Sequence, residues 1–189
     1  MGLPHLCRAL RRQGWLLAKV PDGLDLVEAA ALPLATTTGN QLVSVAADIK
    51  AGQTVLVAGA FGGVGRSAAF TAKELGARVI AGVLKKQFAA ARRLGAVRGK
   101  TAEQLLGKVK PGGMFASVTG APANANDYPS VRVVSYVSHQ DAKTVLAMAQ
   151  AVSSGKLVFP IERKLPLSAA REGHEAVGRG GTGKVLLLP

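Results

Sequence analysis

Short apolar runs alternate with amphipathic stretches along this chain. The apolar runs 54–58 and 78–83 predict buried strands. Residues 64–75 lie between them, carry apolar side chains at helical spacings and end at Gly76, so they predict a helix. Two strands joined by a helix over about thirty residues are typical of a βαβ unit.

The same alternation continues on both sides of that unit. Upstream, Asp25 and Glu28 form a capping-box pattern for a short helix, and Pro33 separates it from a second helix over 34–47. Downstream, the pattern predicts helices over 86–94, 101–109, 140–153 and 168–177, and strands over 114–118, 131–137 and 184–188. This order predicts an α/β fold with a doubly wound parallel sheet over 16–189, preceded by an irregular segment over 1–15.

A glycine-rich turn joins the first predicted strand to its helix. The segment Ala60-Phe61-Gly62-Gly63-Val64-Gly65 fits the dinucleotide-binding pattern G/A-x-G-x-x-G, with alanine at the first position. Glycine at the second position lets a pyrophosphate approach the backbone, and glycine at the third lets the helix pack on the strand. The pyrophosphate would lie at the N-terminus of the helix. The alternative is a turn that only packs tightly.

The end of the second strand bears on which dinucleotide would bind. An Asp or Glu there would bind the ribose 2′-hydroxyl of NAD, but this chain has Val83-Leu84-Lys85-Lys86. Two ammonium groups without a carboxylate favour the 2′-phosphate of NADP(H). The alternative is that both lysines form a solvated first helical turn, although a helix N-terminus disfavours cations.

The composition limits the other function classes. Cys7 is the only cysteine, which excludes an internal disulfide and a multi-cysteine zinc site and predicts a reducing, cytoplasmic compartment. No apolar run reaches the roughly 18–20 residues of a membrane helix, so no membrane partner is expected. Basic residues near the start leave a transit peptide as an alternative to an irregular segment.

The chain is strongly basic, with a formal net charge of +13. This excess predicts attraction to anionic cofactors or surfaces. Much of it lies between residues 85 and 110, where Glu103 is the only acid, although a solvated basic face is the alternative. Aromatic residues make up only 4% of the chain, so specific nucleic-acid binding by base stacking is disfavoured.

Several motifs together resemble the medium-chain dehydrogenase/reductase family. They are the run Glu28-Ala-Ala-Ala-Leu-Pro-Leu, Thr38, the segment from Gly52 to Gly65, Leu94-Gly-Ala, the run from Val109 to Gly120, and the ending from Gly155 to Pro189. The chain is most similar to the zinc-independent, quinone-oxidoreductase-like branch. The resemblance implies a Rossmann-type fold and hydride transfer from NADPH to a quinone, an enone or a carbonyl.

The resemblance also implies roles for individual residues. The turn from Ala60 to Gly65 would hold the pyrophosphate, Thr38 would lie near the nicotinamide, and Thr119 and Gly120 would line the cofactor cleft. The catalytic residues stay unassigned. The alternative for Thr38 is a threonine on a helix surface.

Two parts of the family's architecture are not found in this sequence. We expect little or none of the GroES-like substrate domain, because only a short segment precedes Leu16. His5 and Cys7 offer two ligands where zinc needs three or four, so no metal is expected. The third and fourth strands of a 3-2-1-4-5-6 sheet have only residues 96–100 available, so both are expected to be lost.

Without a fourth strand, the strand over 114–118 has two possible arrangements. It would either pair directly with 54–58 or leave a groove with unpaired backbone groups. The strand over 131–137 resembles the family's edge strand that pairs across a dimer, which predicts a homodimer. His139 is expected to cap the helix that follows it, and neither it nor His174 has a partner for nucleophilic catalysis.

These observations favour an NADP(H)-dependent oxidoreductase acting on a small quinone, enone or carbonyl compound. Two alternatives stay open. One is an NADP(H)-binding or interaction module without catalysis, because no substrate domain closes over the nicotinamide. The other is a truncated product without function.

Overall fold

A computed structural model describes residues 17–83, 96–98, 102–181 and 183–189. Its helices are α1 (Leu26–Ala30), α2 (Pro33–Gln41), α3 (Gly63–Glu74), α4 (Ala102–Leu106), α5 (Ala142–Ser153) and α6 (Ala170–Gly178). Its strands are β1 (Thr54–Ala58), β2 (Arg78–Val83), β3 (Ala96–Arg98), β4 (Met114–Ser117), β5 (Arg132–Ser135), β6 (Ile161–Pro166) and β7 (Lys184–Leu188). A π-helical turn (Leu42–Ala46) extends α2, and 3₁₀ turns occupy Ala125–Asp127 and Leu167–Ala169.

Most of the predicted elements are confirmed. β1, β2 and β7 have the predicted bounds, and α3 differs from its prediction by one residue at each end. The structure shortens the strands predicted over 114–118 and 131–137 and the helix predicted over 101–109. The helix predicted over 86–94 and the irregular segment over 1–15 lie outside the described residues.

Parallel strand pairing confirms the α/β fold class. β1, β2 and β3 form one parallel group in that order, β4 pairs with β5, and β6 pairs with β7. Two arrangements were expected for β4, either direct pairing with β1 or a groove between the two strands. Across the described residues β4 does not pair with β1, so the groove is the arrangement observed. The parallel sheet is therefore divided into three groups.

Two strands depart from the sequence expectations. The third strand was expected to be lost, but β3 pairs with the end of β2 in the register Ala81 to Ala96. Three residues are enough for this strand because parallel pairing to β2 needs only a short extended segment beside Val83. β6 had no prediction, because three consecutive charged residues, 162–164, interrupt its apolar pattern.

Two helices begin at an aspartate cap. Asp25 accepts hydrogen bonds from the backbone N–H groups of Val27 and Glu28 at 3.0 and 3.1 Å, as the capping-box pattern predicts. Asp141 caps α5 in the same way through the N–H of Lys143. His139, expected in that role, instead lies in the loop before the cap.

Helix α2 packs closely against α3 and connects the strand groups. A Cβ on Gly39 would lie 2.7 Å from the Cβ of Ser67, so only glycine allows the two helices to approach this closely. The Ser67 hydroxyl donates a hydrogen bond of 2.6 Å to the carbonyl oxygen of Thr36, and both residues are fully buried. Ala35, on the same helix, packs with Ala149 of α5 and with Phe159.

Candidate functional site

The glycine turn lies directly after β1, at the carboxyl edge of the β1–β2 pair. Gly59 adopts a left-handed conformation with φ +67°, and the backbone N–H of Ala60 donates to the carbonyl oxygen of Gly82 at 3.0 Å. The N–H of Gly62 then donates back to Gly59 at 2.9 Å. These bonds tie the turn to the ends of both strands. Ligands of open parallel sheets bind at this edge.

The two outer glycines of the pattern meet different surroundings. A Cβ on Gly65 would overlap the carbonyl oxygen of Gly59 and lie 2.9 Å from the Cα of Ala60, so glycine is required for α3 to pack on the turn. Among the described residues, apart from its chain neighbours, a Cβ on Gly62 would have the Gly59 oxygen 3.3 Å away as its one contact within 4 Å. Gly62 therefore leaves open space in front of the helix, which a pyrophosphate could enter.

The N-terminus of α3 has the properties of an anion site. Gly62 is the N-cap and has no side chain with which to satisfy the N–H groups of the first turn, which carry the positive end of the helix dipole. Lys184 also reaches this turn, since a Cβ on Gly63 would lie 3.3 Å from its Cε. Gly63, Arg66 and Lys184 line one small recess.

Arg66 is fixed against the turn by three contacts. Its Nε donates to the carbonyl oxygen of Phe61 at 2.9 Å, its Nη1 lies 3.4 Å from the oxygen of Val158, and its guanidinium lies 5.0 Å above the Phe61 ring. Partial burial lowers the pKa of Arg66, but a guanidinium stays protonated at neutral pH. The chain thus holds a second cation beside the helix N-terminus. Arg66 was not predicted from the sequence, although it directly follows the glycine pattern.

Three of the predicted turn residues use their side chains for packing. Ala60 and Phe61 are buried in the core around β1, and Val64 packs against the core next to α5. Their contribution to a cofactor would come from the backbone. Lys85 and Lys86, predicted to contact the 2′-phosphate, lie outside the described residues.

Thr38 lies inside the fold rather than on a helix surface. It is 7% exposed, its hydroxyl donates to the carbonyl oxygen of Leu34 at 2.7 Å, and the hydroxyl of Ser138 lies 2.8 Å away. Because the Thr38 proton is directed at Leu34, Ser138 is the donor of the second bond. The Thr38 oxygen keeps one lone pair, which can accept a hydrogen bond from a ligand such as a carboxamide.

Thr119 and Gly120 follow β4 at the same edge of the fold. The backbone N–H and the hydroxyl of Thr119 each lie 3.1 Å from the Ser117 hydroxyl, and Gly120 is left-handed at φ +103°. The N–H of Tyr136 donates to the Ser117 carbonyl oxygen, which aligns the ends of β4 and β5. Thr119 is exposed at this edge.

A polar network beside Thr38 was not predicted. The amide of Gln41, 2% exposed, donates to the carbonyl oxygen of His139 and accepts from its N–H, both at 3.0 Å. The Tyr136 hydroxyl lies 3.4 Å from Gln41 Oε1 and 3.5 Å from His139 Nδ1. The position of these residues directly after a predicted strand could have indicated the network, because strand ends meet at one edge of a parallel sheet.

Neither a metal site nor a membrane-spanning helix is found in the described part of the chain. In it, no three His, Cys, Asp or Glu side chains lie close enough together to hold a metal ion. None of the helices described is long and apolar enough to cross a membrane.

Sequence comparison finds relatives among polyketide synthases. No protein-family model matches the chain. Erythronolide synthase EryA2 of Saccharopolyspora erythraea is 47% identical over 66 residues, and a highly reducing polyketide synthase of Preussia isomera is 36% identical over 67 residues. Each match covers 35% of this chain but only 2% and 3% of the synthases, respectively.

Structure comparison finds oxidoreductases. The quinone oxidoreductase of Coxiella burnetii matches 89% of the chain with a TM-score of 0.76 and 23% identity, and an NAD-dependent alcohol dehydrogenase matches 91% with 0.73 and 26%. A mycobacterial structure complexed with NADPH matches 91% with 0.69 and 23%. The chain spans 62% and 61% of the length of the first two of these proteins.

Proposed function

We propose that this chain, which has the fold of the medium-chain dehydrogenase/reductase family, binds NADP(H) and uses it to reduce a small quinone, enone or carbonyl compound. The family resemblance carried by the sequence motifs agrees with the fold, because the matched structures are quinone oxidoreductases and alcohol dehydrogenases. A nicotinamide cofactor is common to the proteins whose names give one.

One observation carries the proposal. The uncapped N-terminus of α3 opens onto the space in front of Gly62, with Arg66 and Lys184 beside the first turn. Backbone N–H groups, the helix dipole and two nearby cations favour the same ligand, a pyrophosphate. A methyl group at Gly62 would occupy the space that such a ligand needs.

The residues of this chain would act by binding and orienting the cofactor, which supplies hydride when bound. The glycine turn would hold the pyrophosphate, and Lys85 or Lys86 the 2′-phosphate that distinguishes NADP(H) from NAD(H). Thr38, through its free lone pair, and Thr119 would orient the nicotinamide from the ends of α2 and β4. The chain would act in the cytoplasm, as its cysteine content suggests.

The polyketide synthase relatives bear on the hydride acceptor. Among quinone, enone and carbonyl acceptors we favour the enone, because full reduction of a growing polyketide chain passes through an enoyl group and the synthase of Preussia isomera is named as highly reducing. A reductive step on a polyketide-like enone is therefore a second candidate function. It uses the same cofactor site.

Thermal unfolding with and without nucleotide tests the proposal. A ligand that binds only the native state at a hundred times its Kd stabilises it by about 2.7 kcal/mol. We expect NADPH to raise the Tm of the wild type by several degrees and NADH to raise it less. Gly62→Ala should keep the Tm without ligand and lose most of the NADPH-dependent rise.

Gly178→Ala is the matched control, because Gly178 lies in α6 and a Cβ built there has no contact within 4 Å in the described part of the chain. It should respond to NADPH as the wild type does. If the wild type shows no cooperative transition, or none that NADPH shifts, the proposal is wrong. A Gly62→Ala variant that keeps the full NADPH response would contradict the placement of the pyrophosphate.

A further inference from the structure

Tyr136 is a half-buried phenol whose hydroxyl has only long polar contacts with the residues that the structure describes. It lies 3.4 Å from Gln41 Oε1 and 3.5 Å from His139 Nδ1. An ordinary O–H···O hydrogen bond measures roughly 2.7–2.8 Å. The phenolic proton is therefore weakly held and can turn toward a stronger acceptor.

The backbone next to this hydroxyl is rigidly held. The Gln41 amide is buried in α2 and forms two 3.0 Å bonds with the peptide groups of His139, one as donor and one as acceptor. Breaking them would leave a buried amide unpaired, which costs about 1–3 kcal/mol per group. Such a clamp fixes the loop in advance, as a binding site for a small molecule requires.

The location of Tyr136 agrees with a substrate site. It follows β5 at the carboxyl edge, and Ser138, two residues on, donates to Thr38. Gln41 lies three residues after Thr38 on α2, so the phenol and the proposed nicotinamide position share one side of the fold. A hydride acceptor must lie next to the nicotinamide, and its oxygen must find a donor there.

The position of His139 beside the phenol supports a donating role for Tyr136. Asp141, the N-cap of α5, has a pKa lowered chiefly by the hydrogen bond from the Thr144 hydroxyl, with a smaller contribution from the charge of His139. His139 Nδ1 faces the Tyr136 oxygen, so a proton on that nitrogen strengthens the phenol as a donor.

We propose that the Tyr136 hydroxyl, with His139 behind it, donates a hydrogen bond to the carbonyl oxygen of the hydride acceptor. Negative charge develops on that oxygen when a hydride reaches an enone or a carbonyl, and a donor placed in advance stabilises it. This inference rests on the proposed function. It names a substrate contact within that site, where the sequence analysis left the catalytic residues unassigned.

Binding of an enone to the full chain tests the inference without turnover. The probe is 2-cyclohexen-1-one in the presence of saturating NADP⁺, which cannot donate hydride, with the Kd measured by ligand-observed NMR. Loss of one hydrogen bond to a neutral carbonyl should raise the Kd about twofold to tenfold in Tyr136→Phe. His139→Gln should raise it less, because that imidazole acts through Tyr136.

The chain offers matched controls for both variants. Tyr128 lies near the opposite ends of β4 and β5, where its oxygen would be 2.9 Å from a Cβ on Gly107, and His174 lies in α6. Tyr128→Phe and His174→Gln should leave the Kd unchanged. The rise in Tm caused by NADP⁺ is measured for each variant, because it reports cofactor binding separately from enone binding.

The outcomes distinguish failure of the Tyr136 inference from failure of the cofactor proposal. NADP⁺ binding without enone binding, or equal Kd values for Tyr136→Phe and Tyr128→Phe, overturns the inference and leaves the cofactor proposal standing. No stabilisation of the wild type by NADP⁺ overturns both. A selective rise in the Kd for Tyr136→Phe with an unchanged NADP⁺ response supports the inference.

Discussion

Gly65 lies so close to Gly59 that a Cβ on Gly65 would overlap the Gly59 carbonyl oxygen. Gly65→Ala must therefore displace α3 or distort the turn. Forcing an extra carbon into a packed interior typically costs about 1–3 kcal/mol. We expect the free energy of unfolding, measured by urea denaturation, to fall by that amount. Gly62→Ala should change it by much less, and equal losses would contradict the different roles given to the two glycines.

The hydroxyl of Ser67 is expected to contribute strongly to stability. It donates to the Thr36 carbonyl oxygen at 2.6 Å in a fully buried contact between α3 and α2. Ser67→Ala leaves that oxygen without its partner, so the free energy of unfolding should fall by about 1–3 kcal/mol. Ser153→Ala is the control, because its exposed hydroxyl donates to the Asp22 oxygen at the surface. A control loss as large as that of Ser67→Ala would refute the argument from burial.

Asp141 should make the stability depend on pH in the acid range. Its pKa is lowered in the folded chain, mainly by the Thr144 hydrogen bond. The folded chain therefore stabilises the ionised carboxylate of Asp141. The stabilisation is complete above the unfolded pKa of about 3.9 and is lost as the pH falls through the lower folded pKa. Asp141→Asn keeps a capping side chain and removes this titration.

Denaturation midpoints at pH 6 and pH 3 provide the measurement for Asp141. The decrease between them should be smaller in Asp141→Asn than in the wild type. Asp22→Asn, which removes an exposed carboxylate that caps no helix, should behave as the wild type does. An identical decrease in all three proteins would count against the role of Asp141.

Lys85 and Lys86 should determine the preference between the two nicotinamide dinucleotides. Replacing both with alanine removes the charges proposed to bind the 2′-phosphate, and loss of about 1.4 kcal/mol is a tenfold change in affinity. We expect the Kd for NADPH to rise about tenfold or more and the Kd for NADH to stay the same, as measured by calorimetry. The control replaces the exposed pair Lys108 and Lys110 with alanine, which should change neither Kd. If the Lys85 and Lys86 replacement weakens the binding of NADPH and NADH equally, the assignment is wrong.

The proposed homodimer through residues 131–137 can be tested at Val137. This side chain is 88% exposed directly beyond β5, where the edge strand of a second copy would cover it. Val137→Asp should convert a dimer to a monomer in sedimentation velocity experiments. Val158→Asp, at a valine 64% exposed elsewhere, should leave the dimer intact. A monomeric wild type at all concentrations would show that the proposal is wrong.

The sequence predicted those elements whose signals are local. β1 and β2 are short apolar runs ending near glycines, and α3 begins at a glycine pattern that also fixes its position, so their bounds agree with the structure. β6 was not predicted, because Glu162, Arg163 and Lys164 alternate between exposed and half-buried positions that only pairing with β7 defines.

Some residues of the candidate site could likewise be predicted from local sequence, and others could not. The glycine turn is contiguous in sequence, so its residues could be named in advance. Gln41 and His139 are 98 residues apart, and nothing in either local sequence indicates that a buried amide binds that peptide group. Thr38 was identified through the family resemblance, but its bonds to Leu34 and Ser138 follow only from the fold.

The separation of β1 from β4 has a consequence for how the molecule unfolds. Because no backbone hydrogen bonds join those strands in the described structure, the β1–β2 and β4–β5 groups are linked by packing between helices and loops, including contacts of the backbone and side chains of α2. Thr36 meets α3, while Thr38 and Gln41 meet the loop after β5. Cooperativity therefore depends on α2 and on the direct packing of α5 against α3 through Met148 and Phe70, and weakening these contacts would allow one strand group to open while the other stays folded.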